Sequence, residues 1–161
     1  MSSKQILSEI VKGIKEGKFE VNKLIDAEVD KLFRLPFSEY LKTAFIHCER
    51  VPLEYTPKND ELVVDEVGFV DYKNNLVTRL NPLKVISSAI ILVKASFTVV
   101  YKDYRGGVAV LATKREMVSN LLNKKKELEN TLRKTKSKRL IEAIKNEISK
   151  INQAIEWLTE V

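Results

Sequence analysis

Along the first fifty residues, hydrophobic side chains recur every three or four places, the spacing of helices that bury one face. Ile6, Leu7, Ile10, Val11 and Ile14 form the first stripe. Ser2 stands three residues ahead of Gln5, the capping-box spacing in which two side chains satisfy the free amides of a starting helix. Gly13 and Gly17 put its end nearby. A second stripe runs through Leu24, Ile25, Val29, Leu32 and Phe33, with Glu28 at its edge and Asn22 as the expected cap. Pro36 suits the first turn of a third helix, whose apolar face is Phe37, Tyr40, Leu41, Ala44 and Phe45.

The pattern changes at Val51. Pro52 and Pro57 break helices, and Pro57, Lys58, Asn59 and Asp60 read as a turn. Residues 61–80 look like strands. Val67, Phe69 and Val70 precede a polar turn at 71–75, and Leu76, Val77, Arg79 and Leu80 follow it. The Asn74-Asn75 pair tolerates left-handed backbone and marks a hairpin, with Gly68 at a bulge or an edge. Asn81-Pro82 then opens a helix over 82–94 that is apolar on nearly every side, as a buried crossover helix would be. A buried strand at 90–93 is the alternative, because periodicity does not separate the two in a short apolar run. A second hairpin follows, with β-branched and aromatic residues at 97–101, a Gly106-Gly107 turn, and a return over 108–111.

The last segment, residues 114–161, is helical and carries two apolar seams. Met117, Leu121, Leu128 and Leu132 mark one. Ile141, Ile144, Ile148, Ile151, Ile155 and Leu158 mark the other, in alternating steps of three and four. The seams are out of phase. Either a stutter unwinds one helix of about 70 Å, or the chain reverses at 134–138, which we favour although that stretch has neither Gly nor Pro. The expected architecture is α+β: N-terminal helices packed on a small antiparallel sheet in a globular domain, 1–113, followed by a C-terminal coiled coil or helical hairpin, 114–161. Leu121, Leu128, Leu132, Ile141, Ile144, Ile148, Ile151, Ile155 and Leu158 are the expected oligomerisation residues, with a homo-dimer favoured.

Charge changes the picture most in that last segment. Between residues 124 and 139 stand eight cations, Lys124, Lys125, Lys126, Arg133, Lys134, Lys136, Lys138 and Arg139, against two carboxylates. That local excess equals the net charge of the whole chain, +6. Such a cluster attracts polyanions, with nucleic acid or an acidic protein surface as the expected partner, or else it is a solvated helix face. A membrane surface is disfavoured, because no bulky apolar face accompanies the charge. A second mixture of rings and cations lies on the hairpins: Tyr72, Lys73, Arg79, Tyr101, Lys102, Tyr104 and Arg105. Rings that stack on bases beside cations that follow the backbone are how single strands are held, although tyrosine is also an ordinary strand residue.

The remaining composition narrows the chemistry. A single cysteine, Cys48, forbids an internal disulfide and fits a reducing compartment. No signal-type start and no long apolar run is visible, so a cytoplasmic protein is expected. Scarcity of Gln, Met, His and Cys is a thermophile trait, though Asn stays common. His47 and Cys48 are neighbours and diverge by about 100° on a helix, so they do not converge on a metal or form a nucleophile pair. The carboxylates Asp60, Glu61, Asp65, Glu66 and Asp71 surround the first hairpin without a recognisable ligand order. Neither a catalytic residue, nor a metal site, nor a cofactor is expected.

In its order of elements the chain resembles the ThermoDBP-like single-stranded-DNA-binding proteins of hyperthermophilic archaea, which combine a helical and small-sheet core, aromatic and basic hairpins, and a C-terminal zipper. The resemblance implies a non-enzymatic single-strand binder with an aromatic cleft flanked by cations and zipper-mediated dimers. It brings no residue-by-residue motif. The rival expectations are an assembly factor (a regulator or viral component) that docks a partner through its helices, and a winged-helix DNA binder that reads duplex with residues 36–49 and uses 61–80 as the wing.

Overall fold

The structure is a computed structural model that describes residues 2–160. Met1 and Val161, the outer ends of the two predicted segments, lie outside the described residues. Three helices come first: α1 (Ser3–Lys15), α2 (Val21–Phe33) and α3 (Ser38–Ile46). The capping box forms as expected, with Ser2 Oγ accepting from the Gln5 amide and Gln5 Oε1 accepting from the Ser2 amide. Gly13 does not end α1. It is buried inside the helix because a Cβ there would meet Val21 Cγ2 at 2.0 Å. The helix ends at Gly17, whose φ of +68° suits glycine. Asn22 is not the cap of α2 either. It lies within the helix and accepts a hydrogen bond from the Thr78 hydroxyl, tying α2 to the sheet.

The sheet has six strands: β1 (Glu49–Pro52), β2 (Glu61–Val64), β3 (Gly68–Val70), β4 (Leu76–Arg79), β5 (Thr98–Asp103) and β6 (Val108–Ala112). Their spatial order is β1-β6-β5-β2-β3-β4. Both predicted hairpins form, β3–β4 and β5–β6, with Asn74 left-handed in the first turn. The sheet is mixed rather than wholly antiparallel, because β2 pairs with β5 in parallel, Leu62 opposite Val99. Parallel partners need a crossover. The chain makes it through β3, β4, a short 3₁₀ turn (Pro82–Lys84) and α4 (Val85–Lys94). Helix α4 is the apolar segment left ambiguous by its periodicity. It is buried along its whole length beneath α2 and α3, which explains apolar residues on every side.

The strand β1 is not among the predicted elements, where Pro52 is read only as a helix breaker. It pairs only with β6, at the sheet edge, where a proline is tolerated. From there the chain must pass β6 and β5 to reach β2, roughly 14 Å. Residues 53–60 make that passage over the face opposite the helices, and Leu53 and Tyr55 pack on Val63, Val100 and Ala109. The other face, with Leu62, Val64, Phe69, Val99 and Val110, belongs to the main core shared with α1 to α4.

Two long helices close the chain, α5 (Lys114–Lys134) and α6 (Lys138–Thr159), and they pack on each other as a hairpin. The reversal at 135–137 needs no Gly or Pro. Thr135 turns extended, its hydroxyl bonding back to the Thr131 carbonyl at 2.6 Å, and Ser137 stays extended ahead of α6. Such residues compete with the helical backbone for hydrogen bonds. The base of the hairpin is docked rather than appended. Met117, Leu121, Ile151, Ala154 and Leu158 are buried in the main core, and Asn120 Nδ2 donates to the Ala44 carbonyl of α3 at 2.8 Å. Lys94, 4% exposed at the end of α4, donates to the main-chain carbonyls of Trp157 and Glu160 and lies 4.2 Å from the Trp157 ring centre. The distal half is different. Leu132, Ile141, Ile144 and Ile148 are only half-buried and lie beyond the main core.

Candidate nucleic-acid interface

The hairpin places five of the eight predicted cations at its free end. Arg133 and Lys134 finish α5, Lys136 is in the connection, and Lys138 and Arg139 open α6, all exposed. Lys124, Lys125 and Lys126 lie lower on α5, roughly 10 Å from Arg133 along the helix. None of the eight joins an ion pair among the described residues. At the end of α5 the cations complement the helix dipole. At the start of α6 they oppose it: the first turn holds no acid, and the Ser137 side chain caps nothing. Free amides, a positive dipole end and two cations therefore point the same way, towards an anion.

A second basic region forms beside the β5–β6 turn. Tyr101, Lys102, Tyr104 and Arg105 line a cleft of about 430 Å³ there, together with Arg50 of β1. Glu66 and Asp103 share the cleft. Asp103 Oδ1 accepts from the Arg105 amide at 3.0 Å and shapes the turn. Tyr104 projects into solvent, 62% exposed, with its ring available for stacking. Tyr101 is half-buried. Its ring meets Phe45 of α3 edge-on, centroids 6.1 Å apart, and burial followed by the nearby Asp103 carboxylate raises its phenol above the ordinary tyrosine range. Tyr101 is thus a wall of the cleft rather than a free platform.

The other predicted aromatic and basic residues are elsewhere. Tyr72 and Lys73 sit in the β3–β4 turn, at the opposite end of the sheet, with Lys73 Nζ 5.5 Å from the Tyr72 ring centre. Arg79 lies on the edge strand β4, opposite Gly68 and roughly 14 Å across the sheet from β5. The segment expected to read DNA in a winged helix, 36–49, ends in β1, which also carries Arg50. Its helix, α3, is packed against α4, α5 and α6, and the expected wing, 61–80, includes interior strands of the sheet.

Other candidate chemistry resolves into local structure. The Glu61 carboxylate accepts from the Tyr55 hydroxyl and the Lys58 amide, Asp65 accepts from the amides of Val67 and Gly68, and Asp71 accepts from those of Lys73 and Asn75. Each shapes its own turn. Among the described residues, no group of three or more His, Cys, Asp or Glu is placed to hold a metal ion. The Cys48 thiol is buried, donates to the Ala44 carbonyl at 3.4 Å, and is pushed up to about 12 by burial with help from the Glu116 carboxylate. It is a poor nucleophile at neutral pH. No helix among the described residues is long and apolar enough to cross a membrane. No family model, curated protein or solved structure matches the chain.

Proposed function

We propose that the protein is a non-enzymatic binder of single-stranded nucleic acid, which it engages through the tip of the α5–α6 hairpin. The observation that carries this reading is the set of five exposed cations at 133–139, without ion pairs among the described residues, at the free end of the α5–α6 hairpin. Arg133, Lys134, Lys136, Lys138 and Arg139 neutralise phosphates, and Lys124, Lys125 and Lys126 extend the track down α5. Tyr104, with Arg105, Lys102 and Arg50 around it, offers a stacking ring at a second basic surface. The half-buried distal seam (Leu128, Leu132, Ile141, Ile144 and Ile148) supports assembly with a second copy, because two helices alone leave one side of their seam wet. Leu121, Ile151 and Leu158 are excluded from that role by their place in the monomer core.

Fluorescence anisotropy of labelled single-stranded oligonucleotides with the full chain, over a series of salt concentrations, tests this. Binding that weakens linearly in log salt, with duplex a poorer competitor than single strand, is expected. No binding at low salt removes the reading and leaves the basic tip to an acidic protein partner.

A further inference from the structure

A third basic concavity lies well away from both surfaces above. Along one face of α1 the side chains of Lys4, Leu7, Ser8, Val11, Lys12 and Lys15 recur at helical spacing. This face borders the end of α4, where Lys94, Ala95 and Ser96 follow one another, and the first residue of α5, Lys114. Together they enclose an open-mouthed cleft of about 520 Å³, within the size range of small-ligand sites. Its floor is apolar, from Leu7, Val11 and Ala95, and its walls are basic.

The charge balance in the cleft is lopsided. Five lysines line the cleft against one carboxylate, Glu16, which is already held by Lys18 at 2.8 Å, and four of their ammonium groups are free to face a ligand, since that of Lys94 is turned to the Trp157 and Glu160 carbonyls. None of the five makes an ion pair among the described residues. Lys94 is buried at the back, bonded to carbonyls. Lys114, half-buried, is held against the hydroxyl of Ser96 at 3.2 Å. Ser96, with a φ of +73°, is the left-handed residue that ends α4, the Phe97 amide donating to the Leu92 carbonyl at 3.0 Å and the Ser96 amide to that of Val93 at 2.9 Å. Desolvation lowers the pKa of both lysines, against attraction from Glu160 and Glu28 at Lys94.

We propose that this cleft binds a small amphipathic organic anion carrying a diphosphate or two phosphate groups, its charged end among Lys4, Lys12, Lys15 and Lys114 and its apolar body on Leu7, Val11 and Ala95. One carboxylate is too little charge for such a site. Two phosphates bring about −3 to −4, which matches the excess of cations. Lysine serves as a compact point charge for phosphate. The site is at the opposite end of the sheet from the Tyr104 cleft, and α5 carries the hairpin tip roughly 30 Å away. It is therefore independent of the nucleic-acid reading.

Titration calorimetry of the full chain with inorganic pyrophosphate, octyl diphosphate and octanoate tests the proposal. Octyl diphosphate is expected to bind at least tenfold more tightly than pyrophosphate, because only it covers the floor, and octanoate at least tenfold more weakly than octyl diphosphate. The double variant K12Q/K15Q, altered only at exposed positions of α1, is expected to lose about tenfold or more in affinity for both diphosphates while its oligonucleotide binding stays unchanged. K134Q/K136Q is expected to do the reverse. Absence of octyl diphosphate binding up to millimolar concentration, or equal affinity in K12Q/K15Q and the parent, overturns the site. Equal affinity for pyrophosphate and octyl diphosphate overturns the amphipathic ligand class.

Discussion

Neutralising the hairpin tip is the sharpest perturbation of the proposed function. In the triple variant K134Q/K136Q/K138Q, three of the five tip cations are lost while the length of each side chain is nearly kept. Each single-strand phosphate contact contributes a slope of about 0.7 to the fall of log affinity with log salt. Extrapolated from 1 M to 0.15 M salt, that is roughly a fourfold gain in affinity per contact. Three lost contacts are therefore expected to weaken binding about fiftyfold at 0.15 M and to lower the slope by about 2. Folding should hardly change. Lys134 helps the end of α5 and Lys138 opposes the start of α6, and such dipole effects are each about 0.5 kcal/mol and here opposite in sign. Anisotropy titrations between 0.05 and about 0.5 M salt measure both quantities. A weaker complex with an unchanged slope would mean that the tip acts through shape and not charge. Unchanged affinity would refute the tip as the binding surface.

Other consequences are direct. Gly68→Ala would set a Cβ 2.1 Å from the Thr78 carbonyl oxygen and 2.9 Å from Arg79 Cα, both backbone, so urea unfolding should show a loss of about 2–4 kcal/mol, whereas Gly106→Ala, in open space, should cost little. Ile151→Ala should cost about 2–5 kcal/mol independently of protein concentration, and Ile148→Ala clearly less, because only Ile151 belongs to the monomer core. Burial holds the Lys94 ammonium down to about 8, with attraction from Glu160 and Glu28 and repulsion from Lys114, so the native state loses a proton that the unfolded chain keeps to about 10.5. Stability should then rise by roughly 1 kcal/mol from pH 8 to 9, and level off higher, where the unfolded chain releases the Cys48 proton that the native state keeps to about 12; urea midpoints of the parent, K94M and C48A across this range check both slopes. The proposed dimer is expected in sedimentation of the parent and should dissociate in Ile144→Lys, a half-buried seam position whose change leaves the main core intact.

The sequence showed most of the local elements because local rules govern them. The capping box at Ser2 and Gln5, the left-handed Asn74 and the phase break between Leu132 and Ile141 are each settled within a few residues of chain. The parallel pairing of β2 with β5 was not legible. It joins residues more than thirty positions apart, and hairpin signals report only neighbouring strands. The seam at 141–158 was legible as an apolar face, but the same spacing serves a dimer interface and a monomer core. Only packing shows that Ile151 and Leu158 belong to the main core while Ile141 and Ile144 lie beyond it. The placement of the aromatic residues was not legible for the same reason. Tyr101 and Tyr72 both belong to predicted hairpins, yet one abuts Phe45 and the other stands at the far end of the sheet. The lysine cleft left no sequence signal at all, since positions 4, 12, 15, 94 and 114 come together only after α1, α4 and α5 have packed.

The hairpin's two halves have different physical demands, and their division bears on how the tip would work. Lys94 and Asn120 bind carbonyls across helix boundaries, and Ile151 and Leu158 fill the core, so the base of α5 and α6 moves with the globular body. The distal half has only its own seam to hold it straight, and that seam is half wet. A second hairpin would cover it, and charge decides the direction. Parallel alignment would bring two sets of tip cations together. Antiparallel overlap of the distal seams instead keeps the two sets of tip cations apart. Coulomb repulsion between the tips then falls with their separation and with screening beyond about 8 Å. An antiparallel pair would present one basic tip at each end of a stiff bundle, so a single strand held at both ends would gain affinity from linked contacts that neither tip supplies alone.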